Sequence, residues 1–388
     1  MPDVPVFERR ASCPFGGLLT SHIQVMHKID LIKFLDRWLG SLLVCVLPRP
    51  YLLNGERLNR QSILLIRPGG IGDALLLAPS IIALRRKFPE AAIDVLAEQR
   101  NAGAFALIPG LREILDYDCP ATLVRVLRRR YDVVIDTEQW HRLSAVICRL
   151  IRSKIKIGFA TNERARMFTH PVNYDLDNYE VQSFLDLLAP LGIDVTDSAP
   201  SGRLVIPAAV VQQMTELLRP IGRQPFLALF TGASIQEKRW AAENFREVID
   251  WCLAGGLAVV LVGGASDASV NEAIASGRPI LNLAGRTSLA GTAAILERAA
   301  CVVSGDSGVL HLAAGLNRPT VALFGPSNAR KWAPRGPGHI VFETASSCSP
   351  CSKFGYTPPC SDRVRCLAEL TPAEVCRAIA NLRSHANK

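Results

Sequence analysis

Three glycine-containing turns hold the side chains in this sequence that are best suited to chemistry. The first, RPGGIGDALLL, follows an apolar run and includes Gly70, Gly72 and Asp73. Glycines let the backbone approach a ligand closely, and the N–H groups at a helix start attract anions. Asp73 is therefore either a helix cap or a general base at a ligand site. The turn is not a dinucleotide fingerprint, because Leu75 stands where the third glycine is required.

The second turn, TGASIQEKRW, follows the apolar run FLALF. Thr231, Gly232 and Ser234 offer hydroxyl and backbone donors, and Lys238 offers a positive charge to a phosphate.

The third turn, GDSGVLH, follows the run CVVS. We interpret Ser307 and Gly308 as hydrogen-bond donors to a phosphate. Asp306 lies beside them, and His311 lies one helical turn further on. The spacing differs from that of a serine-hydrolase elbow, which disfavours that class.

These turns lie within a regular alternation of strand-like and helical segments, which predicts parallel βαβ folding. The sequence predicts an extension over 1–60, a first βαβ domain over 61–205, a linker over 206–224, a second βαβ domain over 225–370 and a C-terminal helix over 371–388. The predicted strands are 62–67, 92–97, 132–136, 226–230, 258–262, 280–283, 301–304 and 320–324, with helices over 74–88 and 124–130 clearest between them.

The composition is that of a globular protein with anionic partners. The 388 residues are 49% hydrophobic and 20% charged, which excludes a disordered chain, and the net charge is +9. The first residues lack the apolar core of a signal peptide, and the eleven cysteines are an odd number. Both features indicate a reducing cytoplasm.

An amphipathic helix is predicted upstream of the first domain, with apolar residues at helical spacing from Ile29 to Val46 and Trp38 near its middle. Its longest apolar run is too short to span a membrane. Two interpretations stay open: a helix packed on the first domain, and an anchor lying in the membrane plane.

Residues 125–166 hold eleven Lys and Arg against four acidic residues, a net +7. The segment is either a solvated surface or an acceptor site for an anionic glycolipid, with Arg142 projecting toward the same site as Asp73. Aromatic residues are isolated here, which disfavours nucleic-acid binding.

Four cysteines near the C-terminus, Cys348, Cys351, Cys360 and Cys366, have the spacing C-x2-C-x8-C-x5-C. A structural zinc site, disulfides and unligated thiols are all compatible with this pattern.

The three turns, with the segments LVGGASD and LAGRTSLAGTAAILERAACVVSGDSGVLHLAAGLNRPTVALFGPS, resemble glycosyltransferase family 9, the ADP-heptose:lipopolysaccharide heptosyltransferases. The resemblance covers residues 61–380, and the Gly-Asp-Ser-Gly-x-x-His segment is its most specific part. It implies a GT-B fold, in which two Rossmann-like domains face each other across a cleft.

The resemblance also implies inverting transfer without a covalent intermediate or a required cofactor. Asp73 becomes the catalytic base, and the other turns bind the donor. From the residues themselves, Gly70 and Gly72 of the first turn and Arg142 are expected to bind the acceptor. The implied donor site also includes Asp267 near the ribose and the pair Thr287 and Ser288 in the nucleotide-lining turn.

The sequence therefore predicts a glycosyltransferase that moves heptose from ADP-heptose to a lipid-linked acidic glycan at the cytoplasmic face of the inner membrane. The alternatives are the same fold with another nucleotide sugar and a noncatalytic nucleotide-sugar-binding protein. An oxidoreductase is disfavoured, because the dinucleotide fingerprint is missing.

Overall fold

The computed structural model describes residues 36–50, 61–194, 204–344, 346–353, 356–362 and 364–386. The chain divides into an N-terminal unit within 1–176 and 181–200 and a C-terminal unit within 177–180 and 201–388. Within the described ranges, no helix is both long and apolar enough to cross a bilayer.

The N-terminal unit is built on one parallel sheet. Its strands are β1 (Ser62–Arg67), β2 (Ala92–Ala97), β3 (Glu113–Asp116), β4 (Val133–Asp136), β5 (Ile155–Phe159) and β6 (His170–Val172). Its helices are α1 (Ser41–Val46), α2 (Ile71–Leu76), α3 (Ala78–Lys87), α4 (Gln99–Phe105), α5 (Pro120–Arg128) and α6 (Arg142–Leu150), and α7 (Glu180–Asp186) follows. The helix predicted over 74–88 is thus two helices that meet at Leu77.

The strand order, β3-β2-β1-β4-β5-β6, determines where a ligand site can form. The chain runs outward from β1 to β3 and then returns to place β4 on the other side of β1. In open parallel sheets, ligands bind at the carboxyl ends of the two strands where the order reverses. Here those strands are β1 and β4, and the Gly70–Asp73 turn follows β1.

The C-terminal unit repeats this plan. Its strands are β7 (Phe226–Phe230), β8 (Ala258–Val262), β9 (Leu281–Asn282), β10 (Cys301–Gly305), β11 (Thr320–Phe324) and β12 (His339–Glu343), in the order β12-β11-β10-β7-β8-β9. Its helices are α8 (Ala208–Leu217), α9 (Ala242–Ala254), α10 (Ala268–Ala275), α11 (Leu289–Arg298), α12 (Gly308–Gly315), α13 (Ala329–Trp332), α14 (Arg365–Ala368) and α15 (Pro372–Ala386). The order reverses between β7 and β10, whose ends lead into the Lys238 and Asp306 turns.

The predicted α/β class with two Rossmann-like units is confirmed. The central strands are almost fully buried, as expected for parallel sheets covered by helices on both faces. The stretch 206–224, predicted as a linker, contains α8, which packs against α11. At the C-terminus, α15 packs on α9 through the fully buried Val375 and Ile379.

The predicted N-terminal helix is described only from Asp36 onward. A π-helical turn, Asp36–Gly40, continues into α1, and Val44 of α1 is fully buried in the core of the N-terminal unit. The predicted stripe from residue 29 to residue 35 lies outside the described residues.

Candidate functional site

In the N-terminal unit, Asp73 lies in the first turn of α2, directly beyond the end of β1. Gly70, not Asp73, is the N-cap of this helix. The side chain of Asp73 is 25% exposed, so its carboxylate remains accessible to a ligand. A Cβ atom at Gly70 would lie 3.1 Å from Oδ2 of Asp73, which explains why a glycine is suited to this position.

Arg67, the last residue of β1, holds the carboxylate of Asp73 from the buried side. Its Nη2 lies 3.1 Å from Oδ1 of Asp73, and its side chain is 2% exposed. Its Nη1 donates to the carbonyl of Thr137 at 2.6 Å and to Oε1 of Gln139 at 3.1 Å. The guanidinium also lies over the ring of Phe184, 5.2 Å from its centroid. Arg67 therefore ties the Asp73 turn to the loop that follows β4.

The loop after β4 is held by its own hydrogen bonds. Oε1 of Glu138 accepts from the N–H of Trp140 at 3.1 Å, and the amide of Asn162 donates to the Trp140 carbonyl at 2.9 Å. Burial alone would raise the pKa of the Glu138 carboxyl, but the charges of Arg67, His141 and Arg164 hold it below its ordinary value. The loop thus presents Trp140, 38% exposed, at the same sheet edge as Asp73.

A buried ion pair at the end of β4 stabilises this edge of the sheet. Nη2 of Arg164 lies 2.5 Å from Oδ2 of Asp136, and both side chains are fully buried. Burial raises the pKa of Asp136 to about 6, although the charge of Arg164 and a hydrogen bond from Ser144 oppose the shift. Breaking such a pair by removing one partner is costly, so its role is structural.

Arg142, predicted to bind the acceptor, lies at the start of α6. Its Nη2 is 2.7 Å from Oε2 of Glu163, and the N–H of Arg142 donates to Asp36 at 2.7 Å. An acceptor anion would have to share Arg142 with Glu163 or displace that carboxylate.

In the C-terminal unit, the two predicted donor turns meet at the ends of β7 and β10. Nζ of Lys238 donates to Oδ2 of Asp306 at 2.6 Å, and Nε2 of His311 lies 3.9 Å from Oδ1 of the same carboxylate. Burial alone would raise the pKa of Asp306, but Lys238 and His311 hold it below its ordinary value. Sequence spacing places these residues in separate turns, and the structure brings them together as one cluster.

Two features build the turn after β10. The hydroxyl of Ser307 caps α12 by accepting from the N–H of Leu310 at 3.3 Å, and it also bonds the hydroxyl of Ser304 at 2.8 Å. A Cβ atom at Gly305 would lie 3.4 Å from the carbonyl oxygen of Lys238, so a glycine suits the close approach of the two turns. The amino end of α12, which begins at Gly308, favours an anion beside the Lys238–Asp306–His311 cluster.

The other predicted donor residues are partly engaged in local structure. Thr231 donates its hydroxyl to Asn271, whereas Ser234 is exposed. Oδ2 of Asp267 accepts from the N–H of Gly264 at 2.9 Å, and the same carboxylate fills the space in front of Gly232. The hydroxyls of Thr287 and Ser288 bond Thr292 and the N–H of Gly291 at 2.9 and 3.1 Å, which fixes the start of α11. Through these hydrogen bonds, the hydroxyls and Asp267 fix the conformation of the turns in which they lie.

The four C-terminal cysteines are unpaired thiols in the structure. Burial raises the pKa of the Cys366 thiol, and the charges of Cys348, Cys351 and Cys360 raise it further. In the part of the chain that the structure describes, no group of three or more His, Cys, Asp or Glu side chains is arranged to hold a metal ion.

Comparison with known proteins identifies the family. The model of glycosyltransferase family 9 (heptosyltransferase) matches residues 121–360, well over half of the chain. The chain belongs to this family. It is also 32% identical over 305 residues to lipopolysaccharide heptosyltransferase 3 of Escherichia coli, covering 70% of this chain and 85% of that protein.

Solved structures agree with the fold. The E. coli ADP-heptose lipopolysaccharide heptosyltransferase II has a TM-score of 0.72 at 22% identity and covers 84% of this chain and 100% of its own. The E. coli heptosyltransferase WaaC with ADP-2-deoxy-2-fluoro heptose has a TM-score of 0.65 at 20% identity and covers 82% of this chain and 99% of its own. The predicted GT-B class is confirmed, and this family member is a glycosyltransferase.

Proposed function

We propose that this glycosyltransferase moves heptose from ADP-heptose to a lipopolysaccharide core or a related acidic glycolipid, with inversion and with Asp73 as general base. The observation that carries the proposal is the accessible Asp73 carboxylate, held by the buried Arg67 at the sheet edge where ligands bind. Arg67 engages one carboxylate oxygen, Oδ1, and Oδ2 faces Gly70.

The reaction is a direct displacement at the anomeric carbon of the heptose. An acceptor hydroxyl oxygen forms the new bond to that carbon, the bond to the ADP oxygen breaks, and Asp73 takes the hydroxyl proton. A base placed in this way is typically worth ~10²–10⁴-fold in rate. Because attack and departure occur on opposite faces of the sugar, the configuration inverts.

The cluster after β7 and β10 is suited to the leaving diphosphate. Lys238 and His311 supply donors, and the amino end of α12 supplies backbone N–H groups. Charge grows on the ADP oxygen as the bond breaks, and such preorganised groups stabilise it. In the structure Asp306 accepts a hydrogen bond from Lys238. We propose that it keeps the ammonium oriented until the donor binds. These groups provide the positive charge, so the proposed mechanism includes no metal cofactor.

The donor and acceptor are proposed by relation to other members of the family. The relatives of known name are lipopolysaccharide heptosyltransferases, one of them solved with an ADP-heptose analogue. A lipid-linked anionic acceptor also fits the net charge of +9. We therefore propose the cytoplasmic face of the inner membrane as the location of the reaction.

The test is transfer by the full chain from ADP-heptose to a heptose-deficient lipopolysaccharide acceptor, measured as ADP release and as product anomeric configuration. Asp73→Asn should lose ~10²-fold or more in turnover while melting normally, since it is nearly isosteric. Glu90→Gln is the matched control, because it removes a carboxylate from an exposed position of the same unit. Near-normal turnover by Asp73→Asn would remove Asp73 from the mechanism. Faster transfer from another nucleotide sugar in a panel of donors would favour the alternative donor. Binding of ADP-heptose without transfer to any acceptor would favour a noncatalytic role.

A further inference from the structure

The helical segment 36–46 has two unlike faces, and the structure shows how one of them is fixed. Oδ1 of Asp36 accepts from the backbone N–H groups of Arg142 and Leu143 at 2.7 and 2.8 Å. Asp36 thereby caps the first turn of α6 from a distant part of the chain. The carboxylate is almost buried, at 4% exposure of the residue.

The same face continues at helical spacing through Gly40 and Val44. A Cβ atom at Gly40 would lie 3.0 Å from Cβ of Arg142, so the segment packs closely on α6 at this position. Val44 is fully buried. These contacts fix the rotation of the helix about its own axis.

The opposite face is exposed and apolar. Trp38 is 65% exposed, Leu42 60% and Val46 71%, and these residues follow one another at intervals of four. Leu39, 44% exposed, lies beside them. Exposed apolar residues that share one helix face indicate contact with an apolar phase, whereas scattered ones do not.

A second element extends this face. Nε of Arg149 in α6 donates to the carbonyl of Pro48, two residues after the end of α1, at 2.9 Å. Leu150, next in the chain, is 48% exposed. The end of α6, with the exposed Leu150, is thus tied to the chain that follows α1.

Cations flank this apolar face. Residues 142–162 contain five Lys or Arg and no Asp or Glu. Arg152 and Lys154 are exposed beyond the end of α6, and Arg37 and Arg49 are exposed at the two ends of the helical segment. An apolar stripe with a tryptophan and flanking cations has the chemistry of a helix that lies in an anionic membrane surface.

We propose that this lipid-facing surface docks on an anionic phospholipid bilayer. It is made of Arg37, Trp38, Leu39, Leu42, Val46 and Arg49, with Leu150, Arg152 and Lys154 beside them. The inference rests on the proposed function, since a lipid-linked acceptor lies in such a bilayer. It names the surface through which the acceptor-binding unit is held there. A second copy of the chain fits less well, because pairing two such surfaces would bring their cations together.

The test uses the full chain and vesicles of phosphatidylcholine, with or without phosphatidylglycerol. Cosedimentation should require phosphatidylglycerol and weaken as salt rises. Leu42→Glu with Val46→Glu should weaken binding at least tenfold. Trp251→Glu is the matched control, because Trp251 is 40% exposed on a helix of the C-terminal unit, and it should bind as the native chain does.

A second variant changes charge without touching the apolar face. Arg152→Glu with Lys154→Glu should reduce binding more than tenfold, since each cation near the surface is worth about fivefold. Both variants should retain native melting and full turnover of a soluble acceptor fragment. Binding to phosphatidylcholine alone, or unchanged binding by both variants, overturns the proposal.

Sedimentation of the chain without lipid tests whether a second copy of the chain covers this surface instead. A native dimer that the Leu42→Glu and Val46→Glu variant converts to monomer would assign the surface to a second copy and overturn the membrane proposal. The vesicle assay contains no sugar substrate. Its outcome is therefore independent of whether the chain transfers heptose.

Discussion

Nη2 of Arg67 lies 3.1 Å from Oδ1 of Asp73, so a buried cation at the end of β1 orients a carboxylate that a ligand can reach. The two residues are separated by a glycine turn, and Arg67 also bonds the loop after β4. The position of the proposed base therefore depends on two loops at the sheet edge.

Replacing Arg67 should affect turnover more than substrate binding. Arg67→Met should lower kcat at least ~10-fold with little change in the KM for donor, because the carboxylate loses its orientation and a small misplacement is costly. Arg67→Lys should restore part of the loss, since it keeps a cation near Oδ1. Steady-state kinetics and melting curves check both variants. An equal loss for Lys and Met that follows their loss of thermal stability would assign Arg67 a purely structural role.

Gly70→Ala tests whether the glycine makes room for the base. The backbone of Gly70 is extended, with φ of −78°, so alanine adds no backbone strain. Its Cβ would lie 3.1 Å from Oδ2 of Asp73, which should displace the carboxylate. We expect kcat to fall ~10-fold or more with a melting temperature within a few degrees of the native one. Native kcat in this variant would show that Oδ2 has room to move without consequence.

The sequence predicted the fold where apolar runs were continuous. The strands 62–67, 226–230 and 258–262 were predicted with the observed bounds, because buried parallel strands leave an unbroken apolar pattern. β5 was missed because Lys156 interrupts its run. In the structure Nζ of Lys156 donates to the carbonyls of Cys148 and Ile151, an arrangement that local sequence does not show.

The site was predictable to a similar extent. Asp73 and Lys238 were singled out because each stands in a glycine turn after a strand. Glycine at such a turn lets the backbone approach a ligand closely, and this is visible in the sequence. Arg67 was missed, since it ends an apolar strand and its partners come from another part of the chain. The pairing of Lys238 with Asp306 was also missed, because it depends on β7 and β10 being neighbours in the sheet.

The cluster in the C-terminal unit predicts selective loss of phosphate binding. Lys238→Ala and His311→Ala should weaken ADP much more than adenosine, by ~10-fold or more for a charged contact. Calorimetric titration with both ligands measures the two affinities. Arg298→Ala, which removes an exposed cation from α11, is the control and should leave both unchanged. Equal losses for ADP and adenosine would move Lys238 and His311 away from the diphosphate.

The cap that Asp36 places on α6 predicts a pH-dependent contribution to stability. Burial alone would raise the pKa of the Asp36 carboxyl, but hydrogen bonds with His141, Leu143 and Arg142 hold it below its ordinary value of 3.8. A pKa that is lower in the folded chain means that the ionised carboxyl stabilises the fold above pH 3.8 and that this contribution is lost as the pH falls through the folded pKa. Asp36→Asn keeps an acceptor oxygen but removes the charge, so it should be less stable by about 0.3–1 kcal/mol at neutral pH, the usual effect of a negative charge at the amino end of a helix. Denaturant titrations of both chains should converge as the pH is lowered below that value, and Glu90→Gln should show no such trend. A stability difference that stays constant down to low pH would mean that the ionisation of Asp36 is not its source.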